Sequence, residues 1–317
     1  MSGARLLSEV RRYSGHDIWN LGLVTQSADD ILRNGITTDV RWLPRPPLWT
    51  FLADPFALQE EDGSTTVFAE HMDYRSGKGN IWSARLRPES GKDWVRLAPL
   101  LEAEAHMSFP YAFRHEGKAH MLCETWEAGG ASLYARADDG TWQFRELVRP
   151  GDRTVVDSVL HHDGEHWWLF CMHPGRRPVE NLFLYFAPSP FGPWQPHPAN
   201  PMLSDRSAAR PAGPLFATSQ GLIRPAQDCS TTYGGALTLN RILELSPTAY
   251  REEIVRRIAP IAPYGAGLHA ICPVGDHTII DGKRWRFHPF DPIRKLLSGG
   301  KSKARRQRLR ATWPGPR

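Results

Sequence analysis

Four acidic residues stand at matching places in a repeated strand pattern and could carry out acid–base chemistry. Asp54 and Asp157 lie at the start of the first strand of their copies, whereas Glu70 and Glu124 end a second strand. Cleavage of a glycosidic bond requires two carboxyl groups, one ionised and one protonated. Carboxyl groups crowded in a dry site raise one another's pKa, which keeps the acid partner protonated near neutral pH. These four acids are therefore the candidate catalytic residues.

Each acid also has a structural interpretation. Asp54 is typical of a turn or a strand start, and Asp157 could hold backbone amides in place. Glu70 and Glu124 interrupt apolar runs, where a buried charge is costly without a partner.

A second set of polar and aromatic residues is predicted to contact a substrate. Arg224 could neutralise the acids or bind a phosphate or carboxylate in a bidentate manner. Trp82, Trp126 and Tyr233 could stack on sugar faces. For several histidines and for Asp228 a hydrogen-bonded structural role is an equal alternative. The predicted substrate-binding residues are His106, Ser108, Trp126, Arg224, Gln227, Asp228, Tyr233 and His269.

These residues belong to a repeat of about fifty residues. In the first copy, Asp54 to Leu58 is an apolar strand, Asp62-Gly63 is a turn, and Thr66 to Glu70 is a second strand. The later copies run Ser108 to Glu124, Val156 to Met172, Arg210 to Asp228 and Gly267 to Gly282. Anchoring the copies on Pro55, Pro110, Ser158, Ala212 and His269 gives spacings of 55, 48, 54 and 57 residues. Such spacing is typical of four-stranded propeller blades.

Further strands complete the predicted blades. Third strands are expected at Ile81–Leu86, Ser132–Arg136 and Leu182–Ala187, with blade-packing tryptophans at Trp94, Trp142 and Trp194. Ile18 to Val24 has no blade of its own and is expected to close the ring against the last blade. One short helix is predicted from Pro247 to Ile258. The predicted fold is all-β, a five-bladed β-propeller over 41–290, with an N-terminal segment 1–40 carrying the closing strand and a basic tail 291–317.

The distribution of charge and the cysteines indicate the character of the tail and the cellular location of the protein. From Lys295 the tail holds eight basic residues and no acid, so the formal charge of +5 becomes +5 − 8 = −3 for the body. A solvated, disordered tail is expected, with binding to an anionic partner as the alternative. The sequence shows neither a signal-peptide stretch nor a membrane span, and four cysteines without pairing motifs indicate buried free thiols in a cytoplasmic protein.

Three histidines in and after the third copy of the repeat do not indicate a metal site. His161, His162 and His173 have no further ligands at metal-binding spacing. We expect neither a metal nor another cofactor.

The sequence resembles the N-terminal, propeller-like region of plant glucosamine inositolphosphorylceramide transferases and their bacterial homologues. The motifs that carry the resemblance include Trp19 to Leu23, Phe51 to Phe56, His106 to Pro110, Arg224 to Asp228 and Gly267 to His269, in order over roughly residues 17 to 285. The plant proteins carry a separate glycosyltransferase domain, and nothing in this sequence looks like one.

More distantly, Ala53-Asp54-Pro55 is similar to the first-blade motif of five-bladed furanosidases. That resemblance implies Asp54 as base or nucleophile, Glu124 or Glu70 as acid, and Asp157 or Asp228 as the group that tunes the pKa. Blade two departs from the motif, because Ser108-Phe109-Pro110 lacks an Asp. The expected function is hydrolysis or transfer of a glycosidic bond in a carbohydrate or glycoconjugate. The alternatives are a sugar-binding propeller without catalysis and a transferase with a nucleotide- or lipid-linked donor.

Overall fold

The computed structural model describes residues 14–86, 97–175, 179–293, 305 and 307–309. The chain begins with strand β1 (Gly15–Val24), followed by helix α1 (Ala28–Asn34) and the short strand β2 (Arg41–Trp42). The Ser27 side chain accepts a hydrogen bond from the Asp30 N–H at 3.2 Å and caps the helix. Asp29 and Asp30 lie in its first turn, where acidic residues interact favourably with the helix dipole.

Blades one and two are regular antiparallel meanders. Blade one contains β3 (Thr50–Gln59), β4 (Thr65–Asp73), β5 (Lys78–Leu86) and β6 (Ala98–Leu101). Blade two contains β7 (Ser108–His115), β8 (Lys118–Thr125), β9 (Gly130–Arg136) and β10 (Trp142–Val148). The turn after β3 includes Gly63 at φ 78°, a conformation that glycine adopts without steric cost.

Blades three and four each carry an additional short strand. Blade three contains β11 (Val156–His162), β12 (Trp167–Met172), β13 (Asn181–Ala187), β14 (Gln195–Pro196) and β15 (Leu203–Ser204). Blade four contains β16 (Arg210–Pro211), β17 (Phe216–Thr218), β18 (Gly221–Asp228), β19 (Ala236–Leu245) and β20 (Tyr250–Ile258).

Blade five is built from both ends of the described chain. Its strand order is β2-β1-β22-β21, where β21 spans Ile271–Val274 and β22 spans His277–Phe287. Strand β1 pairs with β22 along its whole length, from Gly15 opposite Phe287 to Val24 opposite Thr278. This pairing closes the ring and confirms both the five-bladed propeller and the closing role of the N-terminal strand. Closure leaves fewer exposed strand edges.

Two expectations about local structure need comment. The helix predicted from Pro247 to Ile258 is wrong, because Tyr250–Ile258 forms β20 and pairs with β19. Pairing with β19 from Tyr250 to Ile258 shows that the sheet overrides the local preference of the Glu and Arg residues of β20 for a helix. Trp142 opens β10 and packs edge-on against Phe68 at 5.8 Å, whereas Trp94 lies outside the described residues.

The apolar core runs between the blades. A cluster across blades one to three includes the fully buried Trp168 and Phe170, and Phe56 of blade one meets Phe109 of blade two edge-on at 4.8 Å. Interlocked aromatic rings between adjacent blades fix the inner strands relative to one another. Within the described residues, no helix has the length and apolar character needed to cross a bilayer.

Candidate functional site

The innermost strands of blades one, two and three share a β-bulge. Asp54, Phe109 and Asp157 sit in it with φ values of 52°, 49° and 48°, where the strand register shifts in each blade. A residue forced into this left-handed conformation bends the strand and re-aims its side chain. The structure thus places Asp54 and Asp157 at equivalent positions, and Phe109 occupies that position in blade two.

The second strands supply another set of equivalent positions. Glu70 lies opposite Ala53, and Glu124 lies opposite Ser108. The matching residues in blades three and four are Met172 and Gln227. In blade five, the Asp281 N–H donates to the Ala270 carbonyl at 3.3 Å. Asp281 therefore occupies the position on its second strand that Glu70 and Glu124 occupy on theirs. Sequence reasoning missed Asp281, although its place near the end of a second strand was the signal that identified Glu70 and Glu124.

Asp281, His269 and Asp54 form a buried chain across the seam between blades five and one. One Asp281 oxygen accepts the backbone N–H groups of His269 and Ala270, each at 3.0 Å. The other oxygen lies 2.5 Å from His269 Nδ1 and accepts the Asp54 N–H at 3.2 Å. His269 Nε2 lies 3.6 Å from Asp54 Oδ1. Asp281 therefore orients both the imidazole and the backbone of Asp54.

The His269 ring is held between aromatic groups. It stacks on Trp19 at 3.7 Å and meets the Tyr233 ring edge at 5.7 Å. Burial acts to lower the pKa of His269, but the charge and hydrogen bond of Asp281, together with the charge of Asp54, act in the opposite direction, and the pKa is raised. The imidazolium is thereby favoured beside Asp54.

The carboxyl groups of Asp54 and Glu124 are held in different protonation ranges. Burial raises the pKa of Asp54 to about 6, opposed by His269. Burial, followed by the nearby Asp157 carboxylate, raises the pKa of Glu124 to about 8. At neutral pH Asp54 is therefore mostly ionised and Glu124 mostly protonated, the division of roles that paired-carboxylate catalysis uses.

Glu70 is the most strongly perturbed acid of blade one and lies beside His106. Burial, followed by Asp54 and Glu124, raises the pKa of Glu70 well above its usual value. His106 Nδ1 accepts the Gly79 N–H at 2.9 Å, so Nε2 carries the proton that faces Glu70 Oε1 at 3.3 Å. Burial lowers the pKa of His106 to about 4, which keeps the ring neutral. A side chain at Gly79 would collide with Glu70, since its Cβ would lie 2.6 Å from Oε1.

Asp157 is paired with a cation, unlike Glu124. Arg210 Nη2 lies 2.7 Å from Asp157 Oδ2, and the guanidinium stacks over the Tyr233 ring at 5.0 Å. The Asp157 N–H donates to Glu124 Oε2 at 3.0 Å. Tyr233 is 45% exposed, so its ring is available to a ligand next to this pair. Sequence reasoning did not include Arg210 among the site residues.

Several other predicted substrate contacts are buried or hydrogen-bonded to other groups of the protein. Gln227 and Ser108 are buried, and Gln227 donates to the Pro211 carbonyl at 3.1 Å. Asp228 accepts the Ser230 N–H at 2.9 Å and Arg257 Nε at 2.7 Å, outside the carboxylate cluster. Trp126 lies partly buried in the turn between β8 and β9, two residues after Glu124.

Arg224 is a correction to the predicted substrate contacts. Its side chain is fully buried, and Nε and Nη2 donate to the two carboxylate oxygens of Glu252 at 2.8 and 2.6 Å. Tyr250 also donates to Glu252. A guanidinium enclosed in this way cannot reach a ligand in the funnel, the space around the carboxyl groups of Asp54, Glu70, Glu124 and Asp157. Arg224 is therefore a structural residue that joins β18 to β20.

This assignment predicts a loss of stability when Arg224 is replaced. Arg224→Met should lower the free energy of unfolding by about 3–5 kcal/mol, because it leaves Glu252 as a buried charge without its cation. Arg241→Met removes an exposed pair between β19 and β20, with Glu253, and should cost less than about 1 kcal/mol. Urea unfolding of both variants provides the measurement. Equal losses would contradict the structural role of Arg224.

The seam residues also meet the geometric requirement of a metal site. One ligand atom from each of Asp54, His269 and Asp281 lies within 4.8 Å of the others. Two carboxylates and an imidazole suit a divalent cation. In this arrangement the His269 nitrogens instead face the two carboxylates directly.

Comparisons with known proteins agree with this description. The family described as glucosamine inositolphosphorylceramide transferase 1, N-terminal, matches residues 38–260. The curated relatives include glucosamine inositolphosphorylceramide transferase 1 of Arabidopsis thaliana, 31% identical over 208 residues, and that of Oryza sativa subsp. japonica, 33% identical over 208 residues. Each match covers 64% of this chain and 27% of the relative, so the chain spans about a quarter of the relatives' length.

Solved structures share the fold at low identity. A family 117 glycoside hydrolase from the marine bacterium Zobellia galactanivorans superposes with a TM-score of 0.50 at 13% identity, covering 74% of this chain and 85% of the other. A thermostable family-43 glycoside hydrolase also reaches 0.50, at 12% identity over 68% and 83% of the two chains. These likenesses concern the propeller fold alone. By its sequence match over most of the propeller, the chain belongs to the family of the N-terminal region of glucosamine inositolphosphorylceramide transferase 1.

Proposed function

We propose that this chain is a carbohydrate-active propeller that cleaves or transfers a glycosidic bond, with Asp54 as base or nucleophile and Glu124 as acid. The observation that carries the proposal is a cluster of mutually interacting carboxyl groups from four blades. Arg210 and His269 offset only part of its negative charge. The acids are Asp54, Glu70, Glu124, Asp157 and Asp281.

The protonation states give each acid a role. Protonated Glu124 donates its proton to the oxygen of the leaving group as the bond to the anomeric carbon breaks. Ionised Asp54 either attacks that carbon or removes a proton from the attacking water or hydroxyl group. Glu70 is a second candidate acid, because burial also keeps it protonated. Asp157, paired with Arg210, holds Glu124 through its backbone N–H.

The charge of the cluster limits the class of sugar. A neutral sugar or a protonated amino sugar fits a carboxylate-rich site, whereas an acidic sugar is repelled. The names of the curated plant relatives specify glucosamine and an inositolphosphorylceramide. An amino-sugar glycoconjugate is therefore included in the proposed substrate class. Tyr233 and Trp126 would stack on the sugar faces.

A sugar-binding propeller without catalysis is the second candidate. The observation that favours it is the ion pair between Asp157 and Arg210 at 2.7 Å, since a paired carboxylate accepts hydroxyl hydrogen bonds without changing protonation state. In this case sugar would bind across Tyr233 and Trp126 and remain intact.

The decisive experiment exposes the protein to furanose, pyranose and amino-sugar glycosides, with cleavage followed over pH and crystals soaked in parallel. We expect activity to rise as Asp54 ionises near its pKa of about 6 and to fall as Glu124 loses its proton near about 8, a bell-shaped profile. A sugar seen intact against Tyr233, with no cleavage at any pH, would instead establish the binding module.

A further inference from the structure

Glu127 is a buried carboxylate at the rim of the funnel that the proposed mechanism does not use. It lies in the turn between β8 and β9 and is 1% exposed. Its Oε2 accepts the backbone N–H of His106 at 2.9 Å. Because a buried carboxylate is costly without compensating charge, the partners of Glu127 indicate what this part of the rim binds.

A C-terminal arginine supplies that charge. Arg305 donates from Nε and Nη2 to the two oxygens of Glu127, each at 2.9 Å. The same Nη2 donates to the Gly77 carbonyl at 2.9 Å, in the turn between β4 and β5. One guanidinium thereby joins the rim turns of blades one and two, with the bidentate geometry that makes arginine–carboxylate pairs strong.

Two further C-terminal residues contact the same surface. Leu309 is 1% exposed and packs against Ala105 and Ala128, and Arg308 pairs with Glu104 in an exposed position. Spacings of three and four residues place Arg305, Arg308 and Leu309 on one face of a helical turn. We define the rim patch as Gly77, Glu104, Ala105, Glu127 and Ala128.

The rim patch is complementary to this segment in charge and in apolar surface. The patch offers two carboxylates and two alanine side chains, and the segment offers two guanidinium groups and one leucine. Arg305, Arg308 and Leu309 of the tail therefore contact the propeller. The other basic residues of the tail, Lys295, Lys301, Lys303, Arg306, Arg310 and Arg317, lie outside the described residues.

The contact also reaches the carboxylate cluster. Arg305 binds Glu127, Glu127 accepts the N–H of His106, and the His106 ring faces Glu70 at 3.3 Å. A shift of the turn that holds Glu127 would therefore move the His106 backbone and change the ring contact with Glu70.

We infer that the rim patch is the docking site of the chain's own C-terminal segment, and that Arg305 is a positioning residue that holds His106 against Glu70 through Glu127. This inference goes beyond the proposed function and does not depend on it. Docking places a basic segment on the funnel rim above blades one and two.

Amide hydrogen exchange of the full chain tests the docking. In Arg305→Gln, exchange of the His106 amide should accelerate by about tenfold or more, because Glu127 loses two charge-assisted hydrogen bonds and its turn opens more often. Arg308→Gln is the matched control, with the same substitution one turn away in an exposed pair, and should change that rate by less than about threefold. Unchanged exchange in Arg305→Gln would overturn the inference.

Nitrogen NMR of the His106 ring tests the positioning role. The wild-type ring should show an unprotonated Nδ1 and a protonated Nε2, with the signal assigned by its loss in His106→Gln. Arg305→Gln should shift these nitrogen signals. Arg305→Lys should restore them in part, since lysine keeps the positive charge but cannot bind both oxygens of Glu127 as the guanidinium does. The same nitrogen signals in wild type, Arg305→Gln and Arg305→Lys would contradict the positioning role.

Leu309→Ser provides a second route if Arg305→Gln lowers overall stability. It removes the apolar contact without changing charge and should also accelerate exchange at His106. Protection that rises with protein concentration would show that the segment comes from another copy, which would overturn docking within one chain.

Discussion

Asp54→Asn is expected to lower the rate of glycosidic cleavage or transfer by about 10²–10⁴-fold, the range for loss of a positioned base or nucleophile. The amide keeps the size of the side chain and can still accept the Phe109 N–H, which Asp54 Oδ2 meets at 3.3 Å. It cannot attack a carbon atom or accept a proton from water. The measurement is kcat/KM on the glycoside that the sugar panel identifies, with circular dichroism to confirm the fold.

Asp152→Asn is the matched control for this variant. Asp152 has φ 58°, against 52° for Asp54, and is exposed near the start of blade three, so the same substitution is made on the same backbone conformation. Asparagine tolerates the left-handed region well. Full activity is expected in Asp152→Asn, and an Asp54→Asn protein that retains wild-type kcat/KM would refute the proposed role.

Glu124→Gln is expected to change how stability depends on pH. Glu124 has its pKa raised from 4.5 to about 8 in the folded protein, so between these values the folded state holds a proton that the unfolded state has released. The free energy of unfolding then falls as pH rises, by about 1.4 kcal/mol per pH unit for this one group. Glutamine mimics the protonated acid and removes this penalty. The stability gap between variant and wild type should therefore widen from about pH 5 to about pH 8.

Denaturant unfolding over this pH range measures the gap. Asp54 and Glu70 also have raised pKa values and are present in both proteins. Because Glu124 contributes to the raised pKa of Glu70, the gap reports the titration of Glu124 together with its coupling to Glu70. Glu165→Gln, at an exposed turn position between β11 and β12, should run parallel to wild type. A pH-independent gap would contradict the raised pKa of Glu124.

The sequence predicts the blades because the inner two strands of each copy repeat the same pattern of apolar residues with polar residues at their ends. The repeat predicts equivalent positions for Asp54 and Asp157, and both lie in the same left-handed bulge. Asp281 is harder to identify, because the fifth copy of the repeat matches the others poorly. Its role also depends on contacts with His269 and with Asp54, which lies 227 residues earlier in the chain. Periodicity carries strand positions but no such long-range hydrogen bonds.

The errors have a common physical cause. Arg224 and the stretch Pro247 to Ile258 were interpreted separately, as a ligand contact and as a helix. In the fold they are one feature, since Glu252 of that stretch lies on β20 and neutralises Arg224 from β18. The proposed docking of Arg305 on the buried carboxylate of Glu127 depends on the same kind of information. In each case the missing information was the partner of a charge, which sequence spacing does not reveal.

The closure of blade five determines when the site can exist during synthesis. Strand β1 leaves the ribosome early, yet its partner β22 ends about 270 residues later. Until then β1 has no partner along β22, and the seam linking Asp281 and His269 to Asp54 is unmade. The carboxylate cluster is therefore complete only after β22 has been made. A chain released early would hold Glu70 and Glu124 without the ordered Asp54 beside them, so the ring itself ensures that only the finished protein can carry out the proposed chemistry.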